Sequence, residues 1–192
     1  MFDVKKVRSD FPILETQANG RPLVYLDNAA TMQMPLPVMQ AMQKHYELEN
    51  ANVHRGKHYL SHESTRAYEE ARESIARFLN AADASNIVFT PGTTGALNIV
   101  ASGLRNYIQP GDVVVVTALE HHSNYVPWQQ LCKERGADFR CVGIDANGDL
   151  DMSALCEMAA GAKVVACTCC SNVLGTVTPI EQVVQIAHEA GA

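Results

Sequence analysis

From residue 86 onward, short β-branched apolar runs alternate with helical stretches. The runs fall at 86–90, 113–118, 138–144 and 163–168. Between and after them, apolar residues recur at helical spacing. The stretch 94–104 carries Leu97, Val100 and Leu104, 123–135 carries Val126, Trp128 and Leu131 before Gly136, and 180–190 carries Val183, Val184 and Ala187. Strands alternating with helices in this way predict an α/β fold, mainly a parallel sheet with flanking crossover helices. Gln109-Pro110-Gly111-Asp112 and Asp145-Ala146-Asn147-Gly148-Asp149 supply the residues that reverse a chain at low steric cost.

Before residue 86 the pattern changes. One short extended piece, Val24-Tyr25-Leu26, precedes two amphipathic helices at 35–48 and 61–79. In the second helix Ala67, Tyr68, Ala71, Ile75, Phe78 and Leu79 form one stripe, with Glu69, Glu70, Arg72 and Glu73 on the other side. That arrangement predicts a surface helix packed on a core. No internal repeat, low-complexity tract or linker is present. A loose boundary at 80–85 therefore separates an N-terminal arm with helices (1–85) from a sheet domain (86–192).

Composition narrows the classes. A chain of 192 residues, 47% hydrophobic and 19% charged, can bury a substantial core and is too apolar for disorder. A net charge of -6 without a basic stripe argues against a nucleic-acid partner. Nowhere do about 18 apolar residues run together, and the charged N-terminus lacks a secretory pattern, so no membrane association and a cytoplasmic address are expected. The six cysteines lack zinc-ribbon spacing and are expected to be reduced. Cys167-Thr168-Cys169-Cys170 ends an apolar run, where thiols serve as small core residues.

Two segments carry candidate chemistry. Gly92-Thr93-Thr94-Gly95 follows the first β-rich run and opens a helical stretch. A helix N-terminus offers unpaired N–H groups and positive dipole, so hydroxyls placed there form a phosphate cradle; the plain alternative is a turn with an N-cap. Glu120-His121-His122-Ser123-Asn124 follows the second run and brings an imidazole able to stack on a heteroaromatic ring. The cofactor that fits both best is pyridoxal phosphate. His121 and His122 point apart if the segment is extended, and Glu120 and Asn124 complete no ligand set, so no metal site is expected. Asn172, in Ser171-Asn172-Val173-Leu174-Gly175, follows a strand at the end of an open sheet where ligands collect.

Taken in order, six blocks resemble the cysteine desulfurases of the class V aminotransferase family, in the branch that includes selenocysteine lyases. They are Asp10-Phe11-Pro12; Tyr25-Leu26-Asp27-Asn28-Ala29-Ala30-Thr31; Asn52-Val53-His54-Arg55-Gly56 with His58 and Leu60-Ser61; Gly92-Thr93-Thr94; Glu120 to Asn124 with Val126-Pro127-Trp128; and Ser171 to Gly175. The resemblance implies part of the large domain of the fold-type-I pyridoxal-phosphate-dependent transferase fold. It also implies removal of sulfur or selenium from L-cysteine or selenocysteine, leaving alanine. The sulfur passes on as a persulfide to an acceptor protein, and the complete enzyme is a homodimer. On that resemblance Thr93 and Thr94 hold the cofactor phosphate, and His121 stacks on the ring and takes part in proton transfer. Asn172 sits near the ring oxygen and substrate carboxylate. Ala29, Ala30 and Thr31 contact substrate through backbone groups, and His54 and Arg55 stand at the pocket mouth near the dimer partner.

The family pattern continues with residues that these 192 do not match. They are an aspartate for the ring nitrogen, a glutamine for the ring oxygen, a Ser-x-His-Lys segment whose lysine links to the cofactor, and the sulfur-accepting cysteine. Lys133 and Lys163 stand outside that motif. The chain by itself is accordingly expected to be inactive, releasing no alanine from cysteine and pyridoxal phosphate. Many relatives have glutamate where Gly95 stands. In the family sheet the run at 86–90 is an edge strand, which here would have no partner. The strand at 163–168 would show an open edge, and Thr93 and His121 would no longer be held together. The alternatives are another class V enzyme, such as a kynureninase-like protein or aminotransferase, and a non-catalytic phosphate-binding module.

Overall fold

In the computed structural model, which describes residues 2–192, the chain forms two units that meet in sequence at Phe89 and Thr90. In the second unit a three-stranded parallel sheet is built from β3 (Val113–Thr117), β4 (Asp138–Val142) and β5 (Ala162–Ala166), in the order β4-β3-β5. β3 is the central strand and all five of its residues are buried, as a continuous apolar run requires when both faces are covered. Its side chains alternate between two cores. Val113 and Val115 pack with Leu155 and Val183, whereas Val114 and Val116 pack with Ala101, Trp128 and Leu131.

Those partners come from helices on opposite faces. α4 (Gly92–Gly103) and α5 (Val126–Arg135) supply the second group, and α6 (Met152–Met158) and α7 (Ile180–Glu189) the first. α5 ends at Gly136 with φ 70, the left-handed stop that glycine allows. α6 has no counterpart among the helices read from the sequence; Asp151 caps it by accepting from the Ala154 N–H at 2.9 Å. β5 is an edge strand, as expected from the resemblance.

The run at 86–90 is not a strand. A 3-10 turn, Ala84–Asn86, leads into extended but unladdered backbone, because β propensity cannot supply the partner that a strand needs.

The first unit contains α1 (Val4–Ser9), the hairpin of β1 (Gln17–Ala18) and β2 (Arg21–Pro22), α2 (Leu36–Lys44) and α3 (Tyr59–Phe78). The hairpin, and not Val24-Tyr25-Leu26, takes the strand pairing. Asn19 and Gly20, at φ 55 and 73, form the two-residue turn that matches strand twist. α2 stops at Lys44, short of 48, and passes into a π turn at His45–Glu49.

α3 begins at Tyr59, earlier than expected, with His58 as its cap. Its apolar stripe is not packed on a core. Phe78 is 88% exposed and Leu79 61%, while the buried residues of α3 are Ser61, Ser64 and Ala76. Hydrogen bonding, not apolar packing, anchors its first turns. The Ser61 hydroxyl donates to the Asn52 carbonyl (2.7 Å) and accepts from the Gly56 N–H (3.0 Å), and Ser64 donates to the Glu49 carbonyl.

Cys132 is buried, and Cys167 follows the packing expectation, half-buried against a core. Cys169 and Cys170 are exposed and do not. Among the described residues no helix is long and apolar enough to cross a membrane.

Candidate functional site

α4 starts at a turn in which the Gly92 N–H donates to the Thr90 carbonyl (2.8 Å) and no side chain caps the N–H groups that follow. Pro91 precedes it and provides no side-chain cap, and Gly92 adopts φ 83. No atom lies within 4 Å of a Cβ built on Gly92, so glycine is needed there for backbone conformation and not for space. Thr93 and Thr94 follow in the first turn, both exposed. Unpaired N–H groups, two hydroxyls and the positive end of the helix dipole together favour an anion.

The end of β3 delivers the imidazole. After Thr117 the chain turns through 118–120, and His121 becomes the N-cap of a 3-10 turn, His122–Asn124. The Ser123 N–H donates to His121 Nδ1 at 3.1 Å, and the Ser123 hydroxyl lies 2.9 Å from the same nitrogen. Nδ1 is thereby fixed as an acceptor, which puts the proton of the neutral ring on Nε2. The segment is a turn and not extended, contrary to the reading that set His121 and His122 pointing apart. Their rings stand perpendicular with centroids 6.1 Å apart, and both face the same cavity.

That cavity has a volume of about 400 Å³ and lies between α4 and α5, with Thr94, Asn98, His121, His122 and Gln130 among its walls. Arg105 and Glu134, which form an ion pair, complete it. Thr94 and His121 thus share one cavity, so one of the two threonines stays beside the imidazole; the expectation of separation named Thr93 and His121. The packing of Ala101, Trp128 and Leu131 with Val114 and Val116 holds α4 and α5 on one face of β3, with no need of further strands. Thr93 is beside Thr94 but does not line the cavity, and neither does Asn172.

Asn172 is exposed in a loop after β5 that Ser171 closes. The Ser171 hydroxyl accepts from the N–H groups of Val173 (3.3 Å) and Leu174 (3.2 Å). Glu120 and Asn124, weighed from the sequence only as metal ligands, hold this region together. Glu120 accepts hydrogen bonds from the Thr117 hydroxyl, the Thr168 N–H and the Asn124 amide, and Asn124 in turn accepts from the Trp128 indole. The signal was present in the four-residue spacing of Glu120, Asn124 and Trp128, which places them on one side of a helical turn.

The remaining candidates belong to the first unit. Ala29 and Ala30 lie in an exposed turn, and the Thr31 carbonyl just after it accepts from the Tyr25 hydroxyl at 2.7 Å. His54 is held at φ 68, a conformation costly for a residue with a Cβ, by its N–H donating to the Thr65 hydroxyl and by Nε2 lying 2.6 Å from Glu69. The His54 contact, joined by Arg72, keeps the Glu69 carboxyl below its ordinary pKa. Arg72 sits over the Tyr68 and Phe89 rings at 5.0 and 5.5 Å and donates to the Ile87 carbonyl. Arg55 is exposed, without an ion pair among the described residues. Lys163 lies 6.0 Å from the Tyr107 ring, and Lys133 is in the last turn of α5.

Residues 24–192 match the family described as aminotransferase class-V. A cysteine desulfurase of Synechococcus elongatus is 47% identical over 100% of this chain and 31% of its own length; one of Dickeya dadantii is 46% identical over 100% and 47%. The apo structure of a cysteine desulfurase from Thermococcus onnurineus superimposes with a TM-score of 0.92 at 40% identity, over 100% of this chain and 46% of that one. A cysteine desulfurase structure from Escherichia coli gives 0.85 at 36%, over 100% and 47%. The chain therefore spans about a third to a half of the length of the relatives it matches, and its α/β fold is the corresponding part of theirs.

Proposed function

Because this chain belongs to the aminotransferase class-V family, we propose that it is part of a pyridoxal 5'-phosphate-dependent cysteine desulfurase. The reaction is conversion of L-cysteine, or selenocysteine, to alanine, with sulfur passed as a persulfide to an acceptor protein for iron–sulfur cluster assembly. The complete protein is a cytoplasmic homodimer on this reading. One observation carries it: an uncapped helix N-terminus bearing two threonines opens beside a cavity that it shares with a histidine whose tautomer is set.

When bound, pyridoxal phosphate supplies an electron sink for bonds broken at the substrate α-carbon. The chain supplies the grip. The Thr93 and Thr94 hydroxyls and the first-turn N–H groups of α4 take the phosphate, where dipole and hydrogen bonds act together. His121, with Nδ1 committed to Ser123, presents its ring face for stacking and holds the exchangeable proton at Nε2. Asn172 offers an amide to the ring oxygen and the substrate carboxylate. Ala29, Ala30 and Thr31 offer backbone groups to substrate, and His54 and Arg55 line the entrance near the partner subunit.

The test uses the complete protein. Purified with pyridoxal phosphate, it is expected to release alanine from L-cysteine and to leave kynurenine unreacted. The Thr93→Ala/Thr94→Ala pair should weaken cofactor retention by about 10-fold or more, as loss of hydrogen bonds to a charged group implies. Turnover of kynurenine or transamination in place of alanine release would refute the assignment.

A further inference from the structure

We propose that Glu120 is the positioning residue of this site, a carboxylate clamp that fixes His121 relative to the loop carrying Asn172. The inference rests on the functional reading above for what the two residues contact. Its own basis is the hydrogen-bond geometry. Glu120 Oε1 accepts from the Thr117 hydroxyl at 2.6 Å and from the Thr168 N–H at 2.7 Å, across 48 residues. Oε2 accepts from Asn124 Nδ2 at 2.7 Å, and Asn124 Oδ1 accepts from Trp128 Nε1 at 2.9 Å. Trp128 is 3% exposed in the core beneath α5.

One side chain thereby joins four elements. These are the end of β3, the chain leaving β5, the turn that carries His121, and α5. Glu120 directly precedes His121. Thr168 in turn donates its hydroxyl to the Cys170 carbonyl at 2.9 Å, and Ser171 follows to close the Asn172 loop. A shift of the carboxylate is transmitted to both candidate cofactor contacts, which lie on different strand ends. The Val114–Val164 and Val116–Ala166 pairings stop before Thr168; beyond them the Cys170–Val177 bridge closes the Asn172 loop on itself, and the Glu120–Thr168 bond ties its start to the end of β3.

The network also has a fixed polarity. A carboxylate only accepts, and three donors converge on it. In Glu120→Gln the new amide oxygen can serve Thr117 and Thr168, but the new NH₂ meets the Asn124 NH₂. Flipping Asn124 relieves that contact and sets its NH₂ against the Trp128 N–H, so either arrangement leaves donors opposed. Asn124→Asp in the Glu120→Gln background restores the order: the glutamine donates to the aspartate, and the aspartate accepts from Trp128.

The experiment uses the complete protein. In its apo form, ¹⁵N-imidazole spectra of His121 should show one environment with the proton on Nε2. E120Q should split or broaden that signal, and E120Q/N124D should return it. With pyridoxal phosphate added, E120Q should weaken cofactor retention by about 10-fold and move the visible absorption maximum, as loss of a charge-assisted contact implies, and the double variant should recover to within about 3-fold.

A wild-type His121 signal in E120Q, or failure of E120Q/N124D to restore it, overturns the proposal. Should E120Q fail to fold, E120Q/W128F removes the indole donor and frees Asn124 to flip; it must then fold with a wild-type His121 signal, or the clamp is wrong. Absence of cofactor binding by the wild type would refute the functional reading alone, because the apo spectra test the clamp without it.

Discussion

Gly56→Ala tests whether the segment carrying His54 and Arg55 is held by its tight approach to α3. A Cβ at residue 56 would lie 2.4 Å from both Cβ and Oγ of Ser61, and 3.2 Å from His58 Nε2. Ser61 is 1% exposed and cannot swing outward without breaking its bonds to the Gly56 N–H (3.0 Å) and the Asn52 carbonyl (2.7 Å). Overpacking of about 1–3 kcal/mol, together with weakening of two hydrogen bonds at about 1 kcal/mol each, gives a local loss near 3 kcal/mol. Hydrogen exchange of the 52–61 backbone should then quicken by about 100-fold, with urea unfolding followed in parallel. The control is Ser61→Gly, which deletes both clashing atoms. In that background Gly56→Ala should cost less than about 1 kcal/mol, giving a coupling of roughly 2 kcal/mol. Equal costs in the two backgrounds, or exchange unchanged by Gly56→Ala alone, would refute the steric account.

Gly92→Ala should destabilise by about 1 kcal/mol in urea melts although it meets no atom within 4 Å, because the cost is that of φ 83 for an L-residue. Gly92→Asn should lose less, asparagine tolerating that region better. Leu155, fully buried between the sheet and α7, should lose about 2–5 kcal/mol when cut to alanine, read as a lowered Tm. Burial, with Asp138 nearby, pushes the Cys132 thiol up to about 11. Its folded state therefore prefers the neutral thiol: that preference is fully present below the unfolded value of about 8.5 and is lost as pH rises through about 11. Iodoacetamide at pH 8 should label exposed Cys156 at least about 100-fold faster than Cys132, by peptide mass spectrometry, and comparable rates would contradict the burial.

The second unit was largely legible because its signals are local and repeated. Apolar runs gave β3, β4 and β5, and helical spacing gave α4, α5 and α7, with ends displaced by a few residues where turns such as His122–Asn124 take over from helix. The first unit was less so. The Asn19-Gly20 turn was written plainly in the chain but went unread beside the more apolar Val24-Tyr25-Leu26. The stripe on α3 was read correctly as a pattern, yet its burial depends on what covers it, which no helical period contains. The run at 86–90 has strand composition and no ladder for the same reason. At the candidate site, Thr94 and His121 were identifiable from motif chemistry. The role of Glu120 was not, since it depends on Thr168 arriving from a distant strand.

The central strand has a further consequence. Because Val113 and Val115 face one helical layer and Val114 and Val116 the other, a slip of β3 by a single residue would exchange the two cores and invert everything downstream. The irregularity in its pairing with β5 at Val113/Val114 pins that phase. Which side of the sheet the imidazole emerges on is thus decided several residues earlier, by the odd or even place of each valine.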